Sequence, residues 1–461
     1  MFMGKLKPLP TDPVTGKANL LRPIARFSPH LLAFYLAWLG HFSAFCSWFA
    51  LSPLLTSTIA PDLHISLGDV ASSDIANVAS TIVFRLVVGA VTDKVGPKKA
   101  MAVVLVLGAI PLAFTALVTN AGGLIAVRLF VGLLGASFVP CQAWTTTFFT
   151  KSIVGTANAV AGGLGNSGAG VTYLLTPLIF DAFVRNGLTI SKAWRITLLF
   201  PAAFCWVIAG CCLLLGPVKP EAGLPVAEIQ TGSTVESGEI APIEEVAAHT
   251  GNKKKVENID SQHTLTTSPT TTFTTQQTTP LHTRILKTLT PTLLLLIFQY
   301  SCSFGIELSV NSTLSSYLQR TFPSQMSQTT ASMLASTLGL LNIISRATGG
   351  VLSDFCMTKL GIRGRLYVQF SLLLLTSIAV LAFSFAPTLP ITMTLLVVFA
   401  FCTESASGSL FGILPYAIKE GNMGLASGMV GAGGTIGGAV FNAVFKALIG
   451  DPRMGFRIVG G

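Results

Sequence analysis

The sequence predicts an all-α membrane protein made of two related six-helix halves. Three observations carry this. Apolar residues make up 51% of the 461-residue chain and charged residues only 10%, where a soluble domain carries about 25% charge. The mean hydropathy is +0.68. The chain also repeats itself: Arg85, Gly89 and Asp93 recur as Arg346, Gly350 and Asp354 at one constant offset of 261 residues. A chain of this length holds about a dozen helices of ~20 residues plus loops. The net charge of +10 does not point to nucleic acid, because Lys and Arg gather in alternate loops.

Residues 1–30 are polar and basic, with no short apolar region followed by a cleavage site. They read as a cytoplasmic tail, and the first spanning helix serves as the insertion signal. Spanning segments are expected at 31–55, 69–92, 98–118, 122–149, 153–184 and 192–216, then at 291–320, 327–354, 364–386, 389–418 and 421–449. This divides the chain into an N-terminal bundle (31–217), a central loop (218–288) and a C-terminal bundle (289–461). The loop carries Lys253-Lys254-Lys255 and a Thr-rich tract from Thr264 to Thr279. Its low-complexity composition predicts disorder, and its Ser and Thr residues offer sites for kinases. Basic residues fall in the N-terminal tail, the second and fourth connections, the central loop and the eighth connection, so these are expected in the cytoplasm.

The repeat also marks the end of the chain. Trp194-Arg195-Ile196 opens the sixth helix, and Phe456-Arg457-Ile458 matches it at an offset of 262, shortly before Gly461. A twelfth helix is therefore expected to begin and to be cut short, leaving 11 full spans. The eight cysteines sit in or beside apolar stretches without metal-binding spacing. They read as small buried hydrophobes, not disulfides. No nucleotide loop, metal cluster or catalytic triad is visible, so neither an enzyme nor a cofactor is expected.

The residues expected to do chemistry lie at mid-membrane. Asp93 and Asp354 mark the cytoplasmic ends of the second and eighth helices. Eight residues at ~1.5 Å each place Arg85 and Arg346 about 12 Å deeper, near the middle of a ~30 Å hydrocarbon core. Charges at that depth normally face a cavity and work there, so the pair predicts one central anion site. The competing readings are snorkelling across two or three turns, or pairing with a buried acid, Glu307 or Glu404. A second repeat is Gly-rich: Gly155, Ala157, Gly165 and Gly168 match Gly424, Ala426, Gly434 and Gly437 at an offset of 269. Small residues let helices approach closely in lipid. The polar residues inside these runs, Asn166 and Thr435, reach a depth similar to the arginines and are expected to donate hydrogen bonds to a bound oxyanion, or else to a neighbouring helix. Phe45, Phe49, Phe138, Trp144 and Tyr300 are candidates to sandwich a planar anion, although as a class such rings are more often packing residues. Arg128 reads as structural.

The loop Gly89-Ala90-Val91-Thr92-Asp93-Lys94-Val95-Gly96-Pro97-Lys98-Lys99, loosely repeated from Gly350 to Arg365, resembles the cytoplasmic signature of the major facilitator superfamily. Its fold has two six-helix bundles related by a pseudo-twofold axis along the membrane normal. With the paired arginines and the Gly165-Asn166-Ser167-Gly168 element, the chain resembles the nitrate/nitrite porters of that superfamily over about residues 31–460. Its long central loop is similar to that of eukaryotic, fungal-type members. The resemblance implies that Arg85 and Arg346 clamp nitrate with help from Asn166. The family usually has Asn where this chain has Thr435, which bears on affinity or selectivity. It further implies a plasma-membrane nitrate/proton symporter for nitrate assimilation, with Glu307 and Glu404 as candidates for proton coupling or counter-charge. The alternatives are a nitrite transporter, a nitrate/nitrite exchanger, a membrane receptor that senses nitrate, or an inactive fragment.

Overall fold

Helix-start chemistry is written into the loops. Ser28, Ser66, Asn120, Thr290 and Ser327 each accept a hydrogen bond from a backbone N–H of the first turn that follows, which satisfies donors that a helix leaves orphaned. A computed structural model describes residues 9–22, 28–220, 281–418, 422–448 and 451–461. The helices are α1 (Pro29–Asp62), α2 (Leu67–Val95), α3 (Pro97–Leu117), α4 (Ala121–Phe148), α5 (Val154–Arg185) and α6 (Ile190–Leu215). After a short helix at Leu281–Thr288 come α7 (Pro291–Thr321), α8 (Gln328–Leu360), α9 (Ile362–Ser384), α10 (Leu389–Ala417), α11 (Met423–Ala447) and α12 (Pro452–Gly460). Ten of them are long and apolar enough to cross a membrane. The helix α8 is just as long but carries Asn342, Arg346, Asp354 and Lys359. The expected spans all fall on helices. Irregular turns bear on the site in two of them: α1 contains a π-helical turn at Leu55–Ile59, and α4 a 3₁₀ turn at Gly132–Ala136.

One expectation is corrected. The central loop does not run unstructured to residue 288, because Leu281–Thr288 is helical. Its Lys run and Thr tract lie outside the described residues. The tail, for its part, is ordered over 9–22. There Ala18 donates its N–H to the Phe148 carbonyl and its own carbonyl accepts from Thr150, while His30 Nε2 lies 2.7 Å from the Gly16 carbonyl. The tail is thereby sewn to the α4–α5 connection. All eight cysteines are free thiols, of which Cys211, Cys302 and Cys356 are partly exposed.

The two groups of helices meet along two seams, α5 against α8 and α2 against α11. Glycine makes each seam close. A Cβ on Gly89 would stand 2.8 Å from the Gly424 carbonyl of α11, and one on Gly350 would stand 2.7 Å from the Gly155 carbonyl of α5. Gly165 and Gly168 seat α5 on α1 at His41 and Phe42, while Gly434 and Gly437 seat α11 on α7 at Tyr300 and Ser301. The two runs therefore do the same work in equivalent places.

The aspartates of the repeat close one end of both seams. Asp93 accepts from the N–H groups of Gly424 (2.7 Å) and Leu425 (3.0 Å) at the start of α11, and pairs with Arg284 at 3.0 Å. Asp354 accepts from the N–H and hydroxyl of Thr156 (both 2.6 Å) near the start of α5, and pairs with Arg365 at 2.6 Å. A carboxylate at a helix N-terminus meets both orphan donors and the positive end of the dipole. At the far end the α5–α8 seam stays closed, with the Thr329 hydroxyl donating to Asp181 at 3.0 Å. A hollow opens between α2, α7 and α11, lined by Thr56, Asp74, Tyr317, Asn442 and Phe445. Arg128 pairs there with Asp74, as its structural reading expects.

Candidate anion-binding site

Both repeat arginines point into the protein. Arg85 is 0% and Arg346 1% exposed, so snorkelling is excluded. Their surroundings differ. Arg85 donates from Nε to the Gly135 carbonyl at 2.9 Å and from Nη1 to the Gly431 carbonyl at 2.5 Å, and its buried Nη2 has no protein partner. The 3₁₀ turn of α4 turns two carbonyls toward α2, since Thr81 bonds Gly132 there as Arg85 bonds Gly135. Arg346 donates from Nε to Asn342 Oδ1 at 2.6 Å and from Nη2 to Glu307 Oε2 at 2.8 Å. The pairing with a buried acid that the sequence left open thus holds for Arg346 and Glu307, whereas the acceptors around Arg85 are main-chain carbonyls.

A polar network surrounds Glu307. Its Oε1 accepts from Asn166 Nδ2 and Asn342 Nδ2, both at 3.1 Å. Asn342 Nδ2 also reaches Glu404 Oε1 at 2.9 Å. Asn166 Oδ1 sits 2.9 Å from His41 Nε2, and His41 Nδ1 lies 2.9 Å from Ser137 Oγ. Six helices, α1, α4, α5, α7, α8 and α10, converge here. Gly162 and Gly163 make room: a Cβ on Gly163 would meet the Arg346 Cβ at 3.1 Å.

Aromatic rings enclose the arginines. Both guanidinium groups stand over the ring of Phe304, Arg85 at 5.0 Å and Arg346 at 5.7 Å from its centroid, and Arg85 is 6.0 Å from Phe138. Tyr300 stacks on Phe304 at 5.1 Å and 3° and faces Phe138 at 6.2 Å and 19°. Phe411 meets Phe138 and Tyr300 edge-on. The Tyr300 hydroxyl is buried beside the Arg346 guanidinium.

The sequence-predicted residues therefore separate. Arg85, Arg346, Asn166, Phe138, Tyr300, Glu307 and Glu404 come together at one depth. Phe49 packs instead with Phe45, Trp48 and Tyr173, and Trp144 bonds the Pro217 carbonyl. The Thr435 hydroxyl donates to the Gly431 carbonyl at 3.0 Å, the same oxygen that holds Arg85, so it acts on the arginine's support. Sequence reasoning missed His41, Asn342, Phe304 and Phe411. Three of them left a signal. Asn342 precedes Arg346 by one helical turn, Phe304 lies one turn beyond Tyr300, and a histidine in an apolar helix is a functional candidate by default.

The family model of the Major Facilitator Superfamily matches residues 37–442. Nitrate transporter 2.2 of Chlamydomonas reinhardtii is 31% identical over 93% of this chain and 75% of its own. The chain belongs to the nitrate/nitrite porter family of the major facilitator superfamily. High affinity nitrate transporter 2.7 of Arabidopsis thaliana is 29% identical over 95% of this chain and 82% of its own length. The nitrate/nitrite transporter NrtP of Nostoc punctiforme is 27% identical over 93% and 89%. Solved structures share the fold. The human organic anion transporter MFSD10 superposes with a TM-score of 0.57 at 15% identity, covering 94% of this chain and 98% of its own. The Escherichia coli fucose:proton symporter FucP gives 0.58 at 13% identity, covering 94% and 96%. As a member of this superfamily the chain is a multi-pass membrane protein and not an enzyme.

Proposed function

We propose that this chain carries nitrate by alternating access, as a proton symporter of the plasma membrane serving nitrate assimilation, with its N-terminus and central loop in the cytoplasm. The observation that carries the reading is Arg85 Nη2, a buried cationic donor without a protein partner, set beside Arg346 across one shared ring. A buried donor left unpaired costs about 1–3 kcal/mol, which a bound oxyanion would recover. The Tyr300 hydroxyl adds a neutral donor beside Arg346. With Glu404 protonated, two guanidinium groups and the ionised Glu307 leave one positive charge, which suits a monovalent anion. The planar guanidinium fork matches trigonal oxygens, and the aromatic enclosure favours a weakly hydrated ion over sulfate or phosphate. The names of the relatives point to the same ion and, in NrtP, to nitrite as well.

Lys94, Lys98 and Lys99 lie beside Asp93, so the positive-inside rule puts that end in the cytoplasm. That end is closed, and the hollow beside α2, α7 and α11 then lies on the outer side. Inward anion movement against a negative interior costs about 2.3 kcal/mol per charge per 100 mV, so accumulation needs a driver, which protons supply.

Isotopic nitrate uptake into proteoliposomes tests the reading. Symport predicts that an acid exterior alone drives accumulation. A requirement for nitrite or nitrate inside would establish exchange, and binding without flux would establish a sensor.

A further inference from the structure

We infer that Glu404 is the carboxyl that binds the co-transported proton, while Glu307 stays ionised as the permanent partner of Arg346. This rests on the symport reading above. The two acids are one amide apart yet differently held. Glu307 has the Arg346 guanidinium on Oε2 and two amide donors on Oε1, so both oxygens of an ionised carboxylate are satisfied. Glu404 is 0% exposed, takes one amide hydrogen on Oε1, and has the neutral Ser345 hydroxyl beside it but no ion-pair partner among the described residues. A buried carboxylate without a cation beside it is costly. Adding a proton to Oε2 removes the charge and leaves the Asn342 contact intact.

The charge count gives the coupling. Among the described residues, the charged and titratable groups around Glu404 are Glu307 on α7, Arg346 on α8, Arg85 on α2, His41 on α1 through Asn166, and Tyr300 on α7; Arg365 of α9 lies farther toward the Asp354 end. With His41 and Tyr300 neutral, two arginines against two ionised glutamates sum to zero. Bound nitrate then leaves one negative charge in a core that tolerates none cheaply. Protonating Glu404 restores neutrality. The empty site is neutral with Glu404 ionised, and the loaded site is neutral with Glu404 protonated. Proton and anion therefore raise each other's affinity by the same factor, as linkage requires. The shared Asn342 keeps both cargoes in one network, so one pair of gates serves both. This site moves one proton per nitrate and no net charge. A second proton in an electrogenic cycle needs another group, and His41 is the nearest.

The test is calorimetry of nitrate binding to the purified protein in buffers of different ionisation enthalpy, which counts protons taken up per anion. The wild type is expected to take up about one. Glu404→Gln, which keeps an oxygen for Asn342, is expected to lose that proton. In vesicles its pH-driven accumulation relative to nitrate-for-nitrate exchange is expected to fall at least tenfold. A second measurement uses the unaltered protein. Dicyclohexylcarbodiimide attacks protonated buried carboxyls, and mass spectrometry is expected to find it on Glu404 rather than Glu307, with more labelling when nitrate is present. Undiminished proton uptake in Glu404→Gln, or labelling confined to Glu307, would overturn the inference while leaving symport standing. No proton uptake and no pH-driven transport in the wild type would overturn both.

Discussion

Arg85 is held by two carbonyls and Arg346 by a carboxylate and an amide, so equivalent positions in the repeat carry different tasks. Arg85 offers the free cationic donor, and Arg346 brings its own counter-charge. Replacing Arg85 with Lys keeps the charge but loses the fork. A hydrogen bond to a charged group contributes ~1.5–3 kcal/mol, so nitrate affinity should fall roughly 10- to 100-fold in Arg85→Lys, read by calorimetry. Glu307→Gln leaves Arg346 buried beside a neutral side chain. Breaking one side of a buried pair costs about 3–5 kcal/mol, so the melting temperature should drop, and added nitrate should restore more of it than in the wild type. The arginines were legible in the sequence because a charge stands out in an apolar helix. The ring they share was marked only by lying one turn beyond Tyr300, since Phe304 is one of 30 phenylalanines and the crossing of α2, α7 and α8 selects it.

The glycine runs set how closely the helices pass. Gly89 and Gly350 bring α2 and α8 against α11 and α5, with backbone of the opposite group where a side chain would stand. Gly89→Val should cost about 1–3 kcal/mol through overpacking and should weaken the closed Asp93 end, where Asp93 holds the start of α11. Uptake should fall while nitrate binding in detergent changes less, which a comparison of flux with calorimetry would check. The packing role of these glycines was readable from their repetition. The short helix at Leu281–Thr288 was not, since it is amphipathic and ends a stretch of polar, low-complexity composition. Arg284 on it completes the Asp93 cluster, a contact that no local pattern announces.

At the scale of the whole molecule, two seams join the helix groups, closed at the Asp93 and Asp354 end and with a hollow beside α2, α7 and α11 at the other. The repeat foretold the architecture, because a fixed offset between charged residues survives where helix edges blur. The asymmetry escaped it. The second group supplies Glu307, Asn342 and Glu404, while the first supplies His41 and Asn166, and the 261-residue offset pairs none of these. A density map of the protein with bound nitrate tests the central claim most directly. The anion should lie within about 3 Å of Arg85 Nη2 and beside Arg346, against the Phe304 ring. An anion bound elsewhere, with Arg85 and Arg346 unchanged in their contacts, would contradict the account.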